Sequence, residues 1–451
     1  MTSEQTHVIV IGGGFAGLTA AVALTQRGKK VTLLERRNAL GGRARSFYYD
    51  SGEVDNGQHV FLGCYRNTLQ FLKTIGARDH LTFQETLHLK FRQRGGIESS
   101  LRCPRLPSPW HLLFGLWNFQ RLRFRDKWNV WKVARAIQKP YKPGAPNSLT
   151  VTEWLIQLDQ SPLARESLWN PMVIAALNES PDRAAVDSFL KVLRETFASP
   201  DDGRIGLATG GLSQLYAEPA YRWLKERHAE VRLNTNVEAI ECRGNEATEL
   251  VLTNGERLTA SFYVSAIPPR DLLSILPERV IQSDSALQNL HLLKASPILS
   301  MNLWLDRPLF EEPFVGLLGT KVQWVFNKNN FYSCIISAAY EFLDHTNDSL
   351  VDIALKELRD CFPEAKEFNL VKSQVIREPH ATLSSSPEIE KLRPPAKVSL
   401  ENLVFAGDWV QTGLPATIES AVLSGYQAAE LCRDESNEYN KTHAHYLPSP
   451  Q

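Results

Sequence analysis

The six cysteines, Cys64, Cys103, Cys242, Cys334, Cys361 and Cys432, include no C-x-x-C pair. A zinc ribbon or a disulfide framework is therefore not expected, and the scatter suits a reducing compartment. Net charge is lacking too. Fifty Lys+Arg balance 50 Asp+Glu, so no global field draws nucleic acid and any electrostatic partner needs a local patch. No window reaches the roughly 18 unbroken apolar residues of a spanning helix. The start, MTSEQTHVIVIGGG, has no basic n-region and no cleavable apolar stretch. No repeat period is visible. No metal site is expected. The expectation is a cytoplasmic chain that is free to touch a membrane from one side.

What is present is a long chain, 451 residues, with 43% apolar and 22% charged residues. That is enough for two or three domains with large cores, and it excludes collagen-like, low-complexity and disordered classes. His7 to Ile11 is a β-branched run fit for a buried strand. Gly12-x-Gly14-x-x-Gly17 follows as a turn into a helix over Phe15 to Arg27, and Val31 to Glu35 reads as the next strand. In this setting Gly12 permits the tight turn, Gly14 lets backbone approach a pyrophosphate, and Gly17 allows close helix–sheet packing. Glu35 ends the second strand, where a carboxylate accepts ribose hydroxyls. Just beyond it, Arg36 to Ala44 places Gly41, Gly42 and Arg43 beside the acidic strand end. A backbone able to wrap a second phosphate face, with a cation near, suits the extended FAD molecule.

This stretch resembles the amine oxidase and phytoene desaturase superfamily of flavoproteins. Asn402 to Trp409, with Gly407-Asp408, then Ala416-Thr417-Ile418 before a helix, resembles the superfamily's other flavin segment. By that resemblance Asp408 binds near the pyrophosphate or ribitol, and Thr417 and Ile418 lie beside the isoalloxazine. Thr209 to Leu215, then Val231 to Ile240, resembles the adenine-contacting segment, with Val237 as the contact. Val54 to Tyr65 (holding Gly57, Gln58 and His59), Ser99 to Pro107, Ala175 to Asn178 and Gln323 to Phe326 are similar to the squalene-associated branch, the hydroxysqualene dehydroxylases. Phe15 and Ala16, inside the first fingerprint, complete the expected cofactor set. The fold implied is α/β: a Rossmann-type, GR2-like FAD-binding domain with an inserted α+β substrate domain and a helical membrane-facing subdomain. The FAD domain is expected in three pieces, residues 1–80, 205–270 and 395–435. Residues 81–204 form a helical substrate and membrane-facing part broken by prolines, residues 271–394 a substrate domain with mixed sheet, and residues 436–451 a flexible tail.

The resemblance implies reduction of hydroxysqualene to squalene. The hydroxyl leaves as water and reduced FAD delivers hydride to the allylic carbon. His59 is the candidate proton donor, against the alternative of a structural histidine. Glu179 and Asp182 read either as acids or as solvated carboxylates. Leu101 to Arg135 carries four of the ten tryptophans and eight basic residues against one acid, Asp126. Such a stretch either dips into the lipid boundary with Arg121, Arg123, Arg125 and Lys127 on anionic headgroups, or packs its tryptophans in a helical core. No second nucleotide fingerprint is evident, so the electron donor is a separate partner that the sequence leaves unidentified. Two rivals share the cofactor motifs or the fold. One is a carotenoid desaturase, which moves hydride from substrate to FAD. The other is a prenyl-lipid escort protein without redox chemistry.

Overall fold

A computed structural model describes residues 5–433, apart from 51, 139–147 and 366. The tail 436–451 and three of the helix-breaking prolines, Pro140, Pro143 and Pro146, lie outside the described residues. Strand His7–Ile11 sits at the centre of a five-stranded sheet. It pairs in parallel with Lys30–Leu34 on one side and Phe262–Ser265 on the other, and Glu230–Arg232 and Leu403–Phe405 complete the edges. Both faces are covered, which is why these strands are apolar runs rather than alternating ones. Helix Phe15–Gln26, rich in alanine, lies close on one face beside the C-terminal helix Ile418–Leu431.

The second sheet has seven strands, in the order Leu370–Leu383, Ala295–Leu305, Tyr332–Ser337, Trp324–Asn327, Phe314–Leu317, His88–Gln93 and Ile97–Arg102. Alternate residues face opposite layers. Val325, Cys334 and Ile336 pack with helix Asn347–Cys361, while Phe326, Ile335 and Phe91 face the helical segment. The expectation of a helical part over 81–204 needs correction here. Its opening stretch, 81–102, carries strands: Leu81–Phe83 joins a small sheet, and the hairpin 88–102 extends the seven-stranded one. The 14-residue strand Leu370–Leu383 was not foreseen. Its only fully buried position is Leu383, so it carries no strong apolar run. Its Pro379 falls where the pairing register with Ala295–Leu305 shifts, and that bulge spares a residue without an N–H.

Pro171 does not break its helix. A wide π turn over Arg165–Trp169 leads without interruption into Asn170–Leu177, and Pro171 sits in the first turn of that second piece. The same device recurs at Ser213–Ala217 ahead of Pro219. Proline lacks the N–H and crowds the preceding turn, so a locally widened helix accommodates it. Trp110, Trp117, Trp128 and Trp131, on helices Trp110–Asn118 and Phe124–Gln138, are all exposed, so the core reading of these tryptophans fails. Leu112 and Leu116 turn inward onto the helical core instead of outward with them.

Candidate active site

The cleft is built first from backbone. Gly12 has φ +105, and a Cβ there would stand 2.8 Å from the Ala266 carbonyl oxygen of the neighbouring strand end. Gly42 has φ +58, and its Cβ would stand 3.0 Å from the Cα of Gly14. The approach therefore needs glycine at 42, whereas a Cβ on Gly14 would stand 3.8 Å from the Gly42 Cα, an ordinary contact. Glu35 is buried, and each carboxylate oxygen is held by a backbone donor: Oε2 by the Gly13 N–H at 2.8 Å and Oε1 by the Arg37 N–H at 2.9 Å. Arg36 pairs with Asp271 at 3.1 Å. Arg43 forms an ion pair with Asp408, and this contact raises the guanidinium above its ordinary value. It ties the second glycine loop, Gly41-Gly42, to the Gly407-Asp408 turn, 365 residues on. Thr417 caps helix Ile418–Leu431, its Oγ1 accepting the Ser420 N–H at 3.3 Å.

Four residues that hold this cleft escaped the sequence reading. The Arg393 guanidinium donates to the carbonyls of Asp408, Val410 and Leu414 at 2.7–2.8 Å and so shapes the whole turn. Tyr216 stacks on Phe15 at 3.6 Å and puts its hydroxyl against the Gly41 and Ala44 carbonyls. The Asn56 side chain donates to the Arg43 carbonyl and accepts from the Arg45 N–H. Buried Glu419 accepts from the N–H groups of Asn67 and Thr68 at the start of helix Arg66–Thr74. None stands in a glycine-rich motif, and none has a local signal.

One cavity of about 2300 Å³ runs from this cleft into the second half of the molecule. Of the expected cofactor residues, Gly12, Gly14, Phe15, Ala16, Glu35, Arg36, Gly42, Arg43, Gln58, His59, Val237, Gly407, Asp408, Ala416, Thr417 and Ile418 line it. Gly17, Gly41 and Gly57 do not, which corrects their direct role. Gly17 lies beneath the turn against Gly12, and the Gly41 N–H bonds the Gly13 carbonyl from behind. Thr209 to Leu215 also stays outside the cavity; it fastens hairpin 46–55, with the Leu212 N–H on Asp55 and the Ser46 N–H on Ser213.

Beyond His59 the wall turns apolar, with Leu89, Phe91, Met172, Leu177, Phe189 and Phe314 among its residues. Several of its polar side chains are paired within the protein, whereas Trp324 Nε1 and Thr196 Oγ1 are buried there without a hydrogen-bond partner. Asn178, in left-handed conformation (φ +48), donates to Thr382 Oγ1 at 3.0 Å and accepts the Ala338 N–H at 2.9 Å. Lys191 pairs with Glu195 at 2.9 Å. Glu179 is fully buried beside Tyr340, Ser384 and Arg183, so neither the free-acid nor the solvated reading describes it. Burial pushes the His59 imidazole down to about 4; Asp55 opposes this, while Lys328 and Arg43 add to it. His59 is therefore neutral at pH 7. As a standing charged acid it does not serve, and the expectation is corrected to a neutral group with one N–H and one lone pair. Among the described residues, no His, Cys, Asp and Glu cluster could hold a metal.

Residues 15–433 match the family described as flavin containing amine oxidoreductase. The chain belongs to this family. Hydroxysqualene dehydroxylase from Rhodopseudomonas palustris is 30% identical, over 95% of this chain and 98% of that protein. A 15-cis-phytoene desaturase from an Oncidium hybrid cultivar is 26% identical, over 95% of this chain and 78% of that one. Among solved structures, an oxidoreductase from Methanosarcina mazei superposes with TM-score 0.74 at 15% identity, covering 94% of this chain and 100% of that one. The Rossmann-type flavoprotein fold expected above is the fold present. The protein is an FAD-dependent oxidoreductase, which removes the escort reading. The cleft fits the cofactor: the glycine loops leave room for a pyrophosphate, and Glu35 and Val237 line the cavity where they would meet a ribose and an adenine.

Proposed function

We propose that this flavoenzyme reduces hydroxysqualene to squalene, with loss of the allylic hydroxyl as water, as a step in squalene and hopanoid biosynthesis. The observation that carries the proposal is the chamber beyond the flavin cleft: a largely apolar wall in which the charged Lys191 and Glu195 pair with each other and Asn178 is held by the protein, leaving no free charge to anchor a polar substrate. An amine or an amino acid needs an anchoring charge there; a long hydrocarbon does not. Bound in its reduced form, FAD supplies a hydride. The residues of the chamber do the remaining work. The apolar wall excludes water from an allylic cation, and His59, at the junction of chamber and cleft, offers a hydrogen bond to the departing hydroxyl. A separate donor recharges the flavin.

Carotenoid desaturation is the competing reading, supported by the phytoene desaturases among the relatives. Identity favours the dehydroxylase, 30% to the R. palustris enzyme against 26% to the Oncidium desaturase. The test is anaerobic. Reduced holoenzyme mixed with hydroxysqualene is expected to reoxidise and yield squalene, and to ignore phytoene. Oxidised enzyme that is reduced by phytoene would reverse the assignment.

We also place helices Trp110–Asn118 and Phe124–Gln138 on the inner face of the cell membrane. Supporting this are the exposed Trp110, Phe114, Trp117, Phe124 and Trp128 next to Arg123 and Arg125. No helix among the described residues is long and apolar enough to cross. Vesicles rich in anionic lipid should pull the protein down at low salt. Replacing Trp117 and Trp128 together by Ser should weaken that binding roughly tenfold. Equal pull-down of variant and parent would remove the membrane face.

A further inference from the structure

The reaction proposed above consumes one proton and releases one water per turnover, yet its chamber is apolar. A second, smaller cavity of about 240 Å³ lies against it. Glu53 and Asp55 of hairpin 46–55, Thr209 to Gly211, and the turn Asn327–Asn329 line this pocket. Thr209, Gly210 and Asn329 are exposed, so its outer rim meets water. Its inner wall includes Gln58 and Phe326, and both residues also line the large cavity. The two spaces therefore share a partition two side chains wide.

The partition is polar on one half and unfinished. The Gln58 amide donates to the His59 carbonyl at 3.2 Å, but its Oε1 is buried with no hydrogen-bond partner. A buried carbonyl oxygen without a donor is costly, and a water in a polar pocket is the ordinary remedy. On the pocket side, Asp55 Oδ1 accepts from Ser46 Oγ at 2.8 Å and the Leu212 N–H at 2.9 Å. Its Oδ2 lies 3.5 Å from Lys328 Nζ, in a pair largely withdrawn from solvent. Lys328 is presented by a tight turn closed through its N–H on the Phe331 carbonyl. The charged groups acting on His59 are Asp55 and Lys328, from the pocket side, and Arg43, from the cleft.

We infer that this pocket is the port through which a solvent proton enters and product water leaves, with Asp55, Lys328 and Gln58 positioning the waters that serve His59. The inference rests on the dehydroxylation reading. The C–O bond breaks with its electron pair going to oxygen, and that oxygen takes a proton from the His59 N–H. As it does so, the imidazole lone pair takes a solvent proton delivered as hydronium through the port waters, so the ring ends neutral as the other tautomer and no hydroxide is left behind. The C–H bond forms with the hydride pair that reduced FAD supplies. In sum, alcohol, hydride and proton give hydrocarbon and water. A neutral imidazole suits this role because it can release one proton and accept another without carrying a standing charge. The pocket has room for several waters at about 30 Å³ each.

The test uses FAD-loaded enzyme, its Gln58→Leu and Lys328→Met variants, and Gln58→Glu as the polar rescue. Reoxidation of the anaerobically reduced protein by hydroxysqualene is followed in H₂O and D₂O. Gln58→Leu and Lys328→Met are expected to slow it about tenfold or more and to enlarge the solvent isotope effect, with Gln58→Glu near the parent. Two readouts do not need turnover. FAD affinity stays unchanged in Lys328→Met, whose side chain lies outside the flavin cleft. The His59 C2–H exchange profile, measured without substrate, shifts its titration upward in Lys328→Met, because a cation that opposes protonation has gone. Parent rates in both Gln58→Leu and Lys328→Met overturn the port alone. Failure of hydroxysqualene to reoxidise the parent overturns the dehydroxylation and the port with it.

Discussion

In the cleft, the backbone supplies the recognition: Gly12, Gly14 and Gly42 give space, the Gly13 and Arg37 N–H groups aim Glu35, and Arg393 gathers three carbonyls of the Gly407-Asp408 turn. In the chamber, side chains do it, through aromatic and aliphatic bulk drawn from helix Asn170–Leu177, helix Val186–Thr196 and the seven-stranded sheet. The two regions share one cavity and follow opposite rules. A cofactor with fixed phosphates needs exact loop geometry, so a single methyl group can spoil the cleft. A flexible hydrocarbon needs volume and dryness, so the chamber tolerates exchange of one apolar residue for another.

That contrast can be broken at several points. Arg393→Met is expected to do the most damage. It strips donors from three carbonyls, two of them buried, and leaves Glu390 without its cationic partner, so it should cost about 3–5 kcal/mol in denaturant unfolding and release the flavin. Gly42→Val comes next. With φ +58 and the Gly14 backbone in its path, it should lower FAD affinity roughly 100-fold, read by flavin titration, with the chamber intact. Ala176→Phe is the chamber's counterpart. It fills the wall and should cut turnover about tenfold while FAD binds as before. Equal loss of flavin in that variant would erase the distinction between the two regions.

A further effect is in pH. His59 is held down to about 4 in the folded protein but titrates near 6.5 when unfolded. The unfolded chain therefore binds the extra proton first. The His59 contribution is fully present above about 6.5 and is lost as pH falls from there towards 4. His59→Gln should flatten that part of the stability curve in the flavin-free protein, measured by chemical denaturation across this range.

Much of the cleft could be read from the chain because each part is local. Gly12 to Gly17, Glu35 and Gly42-Arg43 follow from one strand–turn–helix–strand unit, and positive φ makes glycine necessary at Gly12 and Gly42. The helices and strands around 347–361, 403–405 and 418–431 also fall where periodicity places them. The edge strand Leu370–Leu383 was hidden by its half-buried, proline-containing composition, and the hairpin 88–102 by its helical neighbours. Tyr216, Asn56 and Arg393 left no mark because their partners lie far away or on carbonyls that every residue has.

From residue order alone came the flavin fingerprint, the strands that carry it and the balance of charge, since these depend on neighbours a few positions apart. Folding decided which glycines face the cavity, that Arg43 meets Asp408, that His59 is stripped of water and neutral, and that four tryptophans look outward. Burial and long-range pairing are properties of the packed molecule, because both depend on which distant segments exclude solvent from a given side chain.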